Sequence, residues 1–459
     1  MTAAPALSEP STRTPERLEA PLTLDTAPPR TLGFRDQFAL WGNLGVSLIG
    51  FASAATVLGA PGSELSFTAA VTAIVVGTLI GTAMLGVAAL IGARTGAPAM
   101  AVLRGLFGTR ISYVPTVLNI AQCVGWGVYE LIIIAQGAQT VAGTTGWRWL
   151  FVVLAGLLTT VLTIWPLGSI AVLRKYIAIA VGMAMVYFTV QLGRQGFPDP
   201  GAGNWKGFLP ATDAIIAVSI SFVPLAADYT RHSRSARASF WGTFSGYTVA
   251  QVWCYVLGLI ALLQSHGDSS KILSSFAGVA AGWAFLLVLV LRESDQSFAN
   301  VYSTAMSVHN LFPKVDRRLL TGGIGILVTG LALKIQEFTA SYYAFLGLIG
   351  SVFVPLLAVL AADFFLGAGR RGWNLAQDAP ARPLMLLPWA LGFATYQYLA
   401  PTAVAGWWTD FWTGAQSTLH FTPQPWSSAS LFSFLVAGVA TWGLGLLPLS
   451  RRGDEGRGR

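Results

Sequence analysis

The chain has 459 residues, of which 54% are hydrophobic and only 10% are charged. Soluble domains carry about 25% charged residues, so this composition excludes an ordinary soluble protein and indicates a polytopic membrane protein. The formal net charge of +8 does not indicate nucleic acid as a partner, because the basic residues fall in short loops between apolar runs.

Apolar runs of about 20 residues predict twelve membrane spans. They lie near residues 38–60, 68–92, 112–142, 149–169, 175–193, 212–228, 240–264, 275–306, 319–335, 339–367, 384–402 and 429–449. The third and eighth are longer than a bilayer requires, which predicts tilted or broken helices. Residues 1–33 and 450–459 have the composition of disordered tails.

Most of the 28 Lys and Arg residues fall in segments predicted to lie on the same side of the membrane as the N-terminus. The positive-inside rule therefore predicts cytoplasmic N- and C-termini for a multi-pass protein of the plasma membrane. The basic loops also favour contact with anionic membrane lipid. The sequence leaves the oligomeric state open, with a monomer as the expectation.

The first span is rich in small and polar residues, among them Asn43, Gly45, Ser47, Gly50 and Ser53. This density favours local unwinding, which would offer backbone carbonyls to a cation. The alternative is that the small residues serve only close helix packing.

In the third span, Gln122, Trp126 and Glu130 are spaced by four residues and so share one helix face. An aromatic ring one turn from a carboxylate could stack on a flat heterocycle and accept its N–H groups. The alternative is that Trp126 packs in the core and Glu130 forms a structural ion pair with Arg292.

Pro224 predicts a break in the middle of the sixth span. Asp228 and Arg231 follow at the predicted cytoplasmic end. Their position favours a conformational latch or a helix cap over contact with a substrate.

The eighth span contains an unusual polar run in a segment that begins as lipid-compatible sequence. The run comprises Arg292, Glu293, Ser294, Asp295, Gln296 and Asn300. One charge at the centre of a membrane helix costs about 2.5–3.5 kcal/mol on insertion scales, so three within four residues must face protein, water or an ion. The run therefore predicts a polar site within the membrane.

The first and sixth spans both look broken, and the third and eighth both carry polar faces, which is a repeat offset of five. With an odd number of spans in each repeat, the second copy begins on the opposite side of the membrane and is inverted. Transporters with inverted repeats and a site at the bilayer midplane have this plan. The predicted divisions are repeat 1 at 34–193, inverted repeat 2 at 194–367, and two further helices at 368–449.

The motifs resemble those of nucleobase:cation symporter family 1, purine/cytosine permease branch, over roughly residues 30–450. The matching residues are the NLGVS sequence of the first span, Trp126, the run Asp228 to Arg231, and the runs Asn300 to Ser303 and Ala305 to Ser307. The resemblance implies an all-α membrane protein of the leucine-transporter type, with alternating access, a planar heterocyclic substrate and coupling to H⁺ or Na⁺.

Carried over by position, Trp126 corresponds to the family's stacking tryptophan and Asn300 to the asparagine that binds the base. Phe222 stands where this branch usually has tryptophan, which implies a smaller second stacking surface. Glu130 stands where relatives have glutamine or asparagine, and an ionised carboxylate can only accept hydrogen bonds. Gln122 and Ser47 complete the predicted substrate site.

The resemblance also implies a monovalent cation between the unwound first span and the eighth span. The implied residues are Leu291, Ser294 and Asp295, with backbone carbonyls near Gly45 and Leu48. Hard oxygen ligands suit Na⁺, whereas a carboxyl in a low-dielectric site suits a proton. The sequence does not decide between the two coupling ions, with a preference for H⁺. No other cofactor or metal is predicted.

Two other classes of function are weighed against transport. A membrane enzyme would use Glu130, Glu293 and Asp295 as acid and base groups, but the four histidines lie near predicted loops and helix ends. A transporter-like sensor would signal through its tails, which are short. Within transport, cytosine, purines, hydantoins, allantoin and a hydroxymethylpyrimidine precursor of thiamine remain as substrate classes.

Overall fold

The computed structural model describes residues 28–58, 64–164, 170–201, 203–311, 315–335 and 338–446. Their secondary structure is helical apart from two isolated β-bridges. The first nine helices are α1 (Phe34–Gly45), α2 (Leu48–Ala52), α3 (Ala54–Leu58), α4 (Phe67–Thr95), α5 (Ala99–Phe107), α6 (Tyr113–Ala142), α7 (Arg148–Ile164), α8 (Ile170–Arg194) and α9 (Phe208–Ile220). The others are α10 (Val223–Thr230), α11 (Ala236–Gln264), α12 (Ile272–Ala277), α13 (Gly282–Leu311), α14 (Arg317–Lys334), α15 (Phe338–Leu366), α16 (Leu386–Leu399), α17 (Gly406–Thr418) and α18 (Ala429–Leu446).

Every predicted span overlaps at least one of these helices. Within the described ranges, 6 spans are long and apolar enough to cross a membrane, or up to 8 when each bent helix pair is taken as one span. Of the predicted tails, residues 1–27 and 450–459 lie outside the described residues. Residues 28–33 are ordered, and the amide of Leu32 donates to the His232 carbonyl at 3.0 Å.

The first span is interrupted where the sequence predicts unwinding. Val46 and Ser47 are extended, and the helical segments on either side are bent by 55°. Ser47 begins the second segment, because its hydroxyl accepts the amide hydrogen of Ile49 at 3.0 Å. A serine at this position satisfies one of the free N–H groups at a helix start.

The sixth span is interrupted at Ser221 and Phe222, between α9 and α10. The predicted break at Pro224 is therefore placed two residues too late. Pro224 lies in the first turn of α10, where the missing N–H has no helical partner to lose. The carbonyl of Ser221, freed by the interruption, accepts the Gln122 side-chain amide at 2.8 Å.

The broken first span packs along α11 through small residues on both helices. A Cβ atom built on Gly45 would lie 2.8 Å from the Cβ of Ala250 and 3.2 Å from the Tyr247 carbonyl oxygen. Such distances leave no room for a methyl group without movement of the backbone. The small residues of the first span thus serve close packing in a span that is also unwound at Val46 and Ser47.

The variant Gly45→Ala should lower the free energy of unfolding by about 1–3 kcal/mol, since overpacking a tight contact costs that much. Thermal or denaturant unfolding of the purified protein in detergent measures this loss. Gly182→Ala is the matched control, because a Cβ there would meet nothing within 4 Å. Equal stability of the two variants would contradict the packing argument.

Candidate substrate and cation site

A cavity lies where the break of the first span meets α6, α9, α10, α11, α13 and α15. The space within it and at its mouth is about 520 Å³. Ligand sites are typically mostly apolar with a few placed polar groups, and this lining fits that description. The predicted residues on its wall are Gly45, Ser47, Trp126, Glu130, Phe222 and Asn300. Tyr247, Gln251, Gln296 and Tyr342, which the sequence did not single out for substrate contact, also line it.

Trp126 and Phe222 are each held by edge-to-face contacts with other aromatic rings. Trp126 lies 5.8 Å from Tyr342 and 5.4 Å from Phe345 between ring centroids. Phe222 lies 5.3 Å from Tyr247. Such contacts fix the orientation of a ring. The indole N–H of Trp126 is buried and has no hydrogen-bond partner among the described residues.

Gln122 does not reach the cavity, although it shares a helix face with Trp126. Its amide group donates to Asn119 at 2.9 Å and to the Ser221 carbonyl at 2.8 Å. Gln122 therefore stabilises the interrupted sixth span in this structure.

Side chains of α13 satisfy the carbonyl groups that the first-span break exposes. The guanidinium of Arg292, which is fully buried, donates to the side chain and the backbone carbonyl of Asn43. The amide of Gln296 donates to the carbonyls of Leu44 at 2.7 Å and Val46 at 3.1 Å. A guanidinium at the C-terminal end of α1 also complements the negative end of that helix.

Glu293 performs the opposite role at the start of α2. One carboxylate oxygen accepts the Ser47 hydroxyl at 2.5 Å, and the other accepts the Leu48 amide at 2.9 Å. A carboxylate is favoured at a helix N-terminus, where N–H groups point outward. Two adjacent residues of α13, Arg292 and Glu293, thus neutralise the two facing ends of the broken helix.

Glu130 is buried, with 1% of its surface exposed. Its carboxyl group lies within hydrogen-bond reach of Glu293, while its second oxygen has no hydrogen-bond partner among the described residues. The described side chains of Glu130 and Arg292 do not form the ion pair that was the alternative prediction. Arg292 turns to Asn43, and Glu130 faces another carboxyl group.

The residues predicted to hold a cation are only partly brought together. Gly45 lies on the cavity wall, but Ser294 does not, although it is buried. The Leu291 side chain points outward with 55% exposed. The side chain of Asp295 lies outside the described residues. The N–H group of Leu48 donates to Glu293, and the predicted role of its carbonyl group stays a prediction.

Glu293 and Gln296 are functional candidates that the predicted site omitted. Both belong to the polar run of the eighth span, so the signal for them was present. Ser294 and Asp295, which lie between them in the sequence, were predicted because they stand at the family's cation-binding positions. Which of these side chains reaches the first span depends on the rotation of α13 about its axis.

Asp228 serves as a cap for a neighbouring helix. Its carboxylate accepts the amide hydrogen of Ala99, the first residue of α5, at 2.9 Å. Arg231 follows directly after α10, is buried, and is close enough for its charge to act on Asp228. This arrangement ties α10 to the start of the short helix α5, and the role of a conformational latch stays a prediction.

Comparisons with known proteins point to one family. Residues 26–377 match the family model described as permease for cytosine/purines, uracil, thiamine, allantoin. A Bacillus subtilis (strain 168) protein with the provisional name purine-cytosine permease YxlA is 24% identical over 314 residues, covering 64% of this chain and 68% of the relative. The hydantoin permease of Microbacterium maritypicum is 24% identical over 294 residues, covering 58% of this chain and 60% of the relative.

The fold is similar to that of Mhp1, a nucleobase-cation-symport-1 family transporter solved in a closed conformation with bromovinylhydantoin bound. The TM-score is 0.70 at 17% identity, covering 94% of this chain and 96% of Mhp1. The fold is therefore that of the leucine-transporter type. The relatives are transport proteins, which confirms the prediction that the chain is not an enzyme. This multi-pass membrane protein belongs to the family of permeases for cytosine and purines, uracil, thiamine and allantoin, the nucleobase:cation symporters that its motifs resemble.

Proposed function

We propose that this protein is a secondary active transporter that imports a planar nitrogen heterocycle together with a monovalent cation, H⁺ or Na⁺. The chain crosses the plasma membrane twelve times, with an inverted five-plus-five repeat, two further helices and both termini in the cytoplasm. It alternates between states that open the cavity to either side of the membrane.

The observation that carries this proposal is the cavity at the break of the first span. A flat ring can stack on Trp126 or Phe222, and Glu130 and Asn300 stand on the same wall to bind ring N–H and carbonyl groups. Each stacked contact contributes about 0.5–1.5 kcal/mol beyond area burial. The combination selects for a planar, polar-edged molecule over a flexible chain.

The same elements give the transporter parts that can move against one another. The first span is held to α13 through Glu293 at the break, so a change in the charge of this region alters how firmly the two are joined. Asp228 holds α10 to α5, and breaking that hydrogen bond would release α10 during the change between states. A ligand shifts the equilibrium between two states only by the difference in its affinity for them. The substrate must therefore contact both groups of helices that move against each other.

Thermal stabilisation of the purified protein tests the proposal. The panel contains cytosine, adenine, guanine, hypoxanthine, uracil, hydantoin, allantoin and hydroxymethylpyrimidine, each with Na⁺ or choline and at two pH values. A ligand at 100 times its dissociation constant stabilises the folded state by about 2.7 kcal/mol, so one heterocycle should raise the melting temperature measurably. No shift with any member of the panel would count against this substrate class.

A further inference from the structure

The first observation concerns the carbonyl groups that the break of the first span frees. At the break of the first span, the carbonyls of Asn43, Leu44 and Val46 already accept hydrogen bonds from Arg292 and Gln296. The guanidinium supplies a permanent positive charge at the negative end of α1. A built-in positive charge therefore stands at the end of α1, beside the break where a cation was expected.

The second observation concerns the carboxyl groups of Glu293 and Glu130, whose surroundings differ. Both oxygens of Glu293 accept hydrogen bonds, one from the Ser47 hydroxyl and the other from the Leu48 amide at the start of α2. Glu130 is buried against Glu293, and one of its oxygens has no partner among the described residues. A second negative charge there would be unpaired, desolvated and repelled.

We propose that Glu130 binds the coupling proton, which it donates as a hydrogen bond to the charged Glu293, and that Arg292 takes the place of Na⁺. This assignment rests on the proposed transport function and names its coupling ion. Because Glu130 lines the cavity, the proton sits beside the substrate. Opening of the cavity to the cytoplasm hydrates Glu130, so that the proton leaves with the substrate.

The other titratable groups around Glu130 do not supply a competing charge. Tyr247 of α11 and Tyr342 of α15 act on it electrostatically, and both are neutral phenols at neutral pH. Cys254 of α11 lies near Glu293 and Arg292. Asp295 of α13 adds a third carboxyl group to the same stretch of sequence, although its side chain lies outside the described residues. Arg292 thus provides one positive charge for several acidic groups.

The test uses the full-length protein purified in detergent, with two readouts that need no substrate. Infrared spectroscopy should show the carbonyl stretch of a buried protonated carboxylic acid, and Glu130→Gln should remove it. Glutamine is neutral and of the same size, and its amide can donate to Glu293 in place of the proton. The Glu130→Gln protein should therefore fold with a melting temperature near that of the unsubstituted chain.

The second readout is the dependence of the melting temperature on pH. The folded protein holds a proton on Glu130 at neutral pH, whereas a glutamate in the unfolded chain has a pKa of about 4.3. The folded state then binds more protons, so stability should fall as the pH rises from about 5 toward 9. Glu130→Gln should lose this fall. The control Glu64→Gln, at an exposed glutamate paired with Lys206, should keep both the fall and the infrared band.

The outcomes separate the proton assignment from the transport proposal. An infrared band and a pH slope that both persist in Glu130→Gln would overturn the assignment, and so would a Glu130→Gln protein that fails to fold. A heterocycle that binds only with Na⁺ would also overturn it while leaving the transport proposal intact. Loss of band and slope in Glu130→Gln, with equal heterocycle binding in Na⁺ and choline, supports it.

Discussion

Replacing Arg292 with methionine should lower the free energy of unfolding by about 1–3 kcal/mol, because it leaves buried acceptors of Asn43 without their donor. The guanidinium is fully buried and donates to two acceptors of Asn43. Without it, the end of α1 loses two hydrogen-bond donors. Thermal unfolding of the purified variant in detergent measures the loss.

The control for this substitution is Lys206→Met. Lys206 forms an ion pair with Glu64 at 2.7 Å, but both side chains are more than half exposed. Exposed ion pairs contribute little, because solvent screens them. An Arg292→Met protein as stable as Lys206→Met would show that the charge does not hold the broken helix.

Replacing Trp126 with alanine should weaken heterocycle binding by about 5- to 150-fold. Stacking of a base on an aromatic side chain is worth about 1–3 kcal/mol by alanine substitution, and each 1.4 kcal/mol is a factor of ten in affinity. The indole is positioned by Tyr342 and Phe345, so its loss also removes a fixed wall of the cavity. Titration of thermal stabilisation with the heterocycle identified from the panel gives the affinity directly.

Two further variants make this result specific to stacking. Trp126→Phe keeps an aromatic face and should retain most of the affinity. Trp407→Ala removes a tryptophan that is 70% exposed on α17 and should leave binding unchanged. Equal affinity in Trp126→Ala and Trp407→Ala would exclude Trp126 from the substrate site.

The arrangement of charges at the first-span break links stability and function. Arg292 and Glu293 satisfy opposite ends of two short helices that the break leaves facing each other. Burying a charged group costs free energy unless the group is hydrogen-bonded, as both groups are here. Their value here lies in joining the first span to α13 through groups whose contacts depend on charge.

The sequence by itself determined the class of protein, the approximate helices and the positions of both interruptions within a few residues. These features are local: apolar length sets a span, and small residues or proline set a break. Helix spacing and charge placed Trp126 and Glu130 on one polar face, and the family resemblance supplied Phe222 and Asn300; all four line the cavity.

Only the tertiary structure decided which polar groups meet. Ser47 and Glu293 are 246 positions apart, and their contact depends on how α13 is rotated against the first span. The same rotation brings Glu293 and Gln296 to the break and leaves Leu291 exposed. Spacing along one helix placed Gln122 on the face of Trp126, but the freed carbonyl of Ser221 on another helix determined its partner. Contacts between helices follow from packing of the whole bundle, which no local pattern encodes.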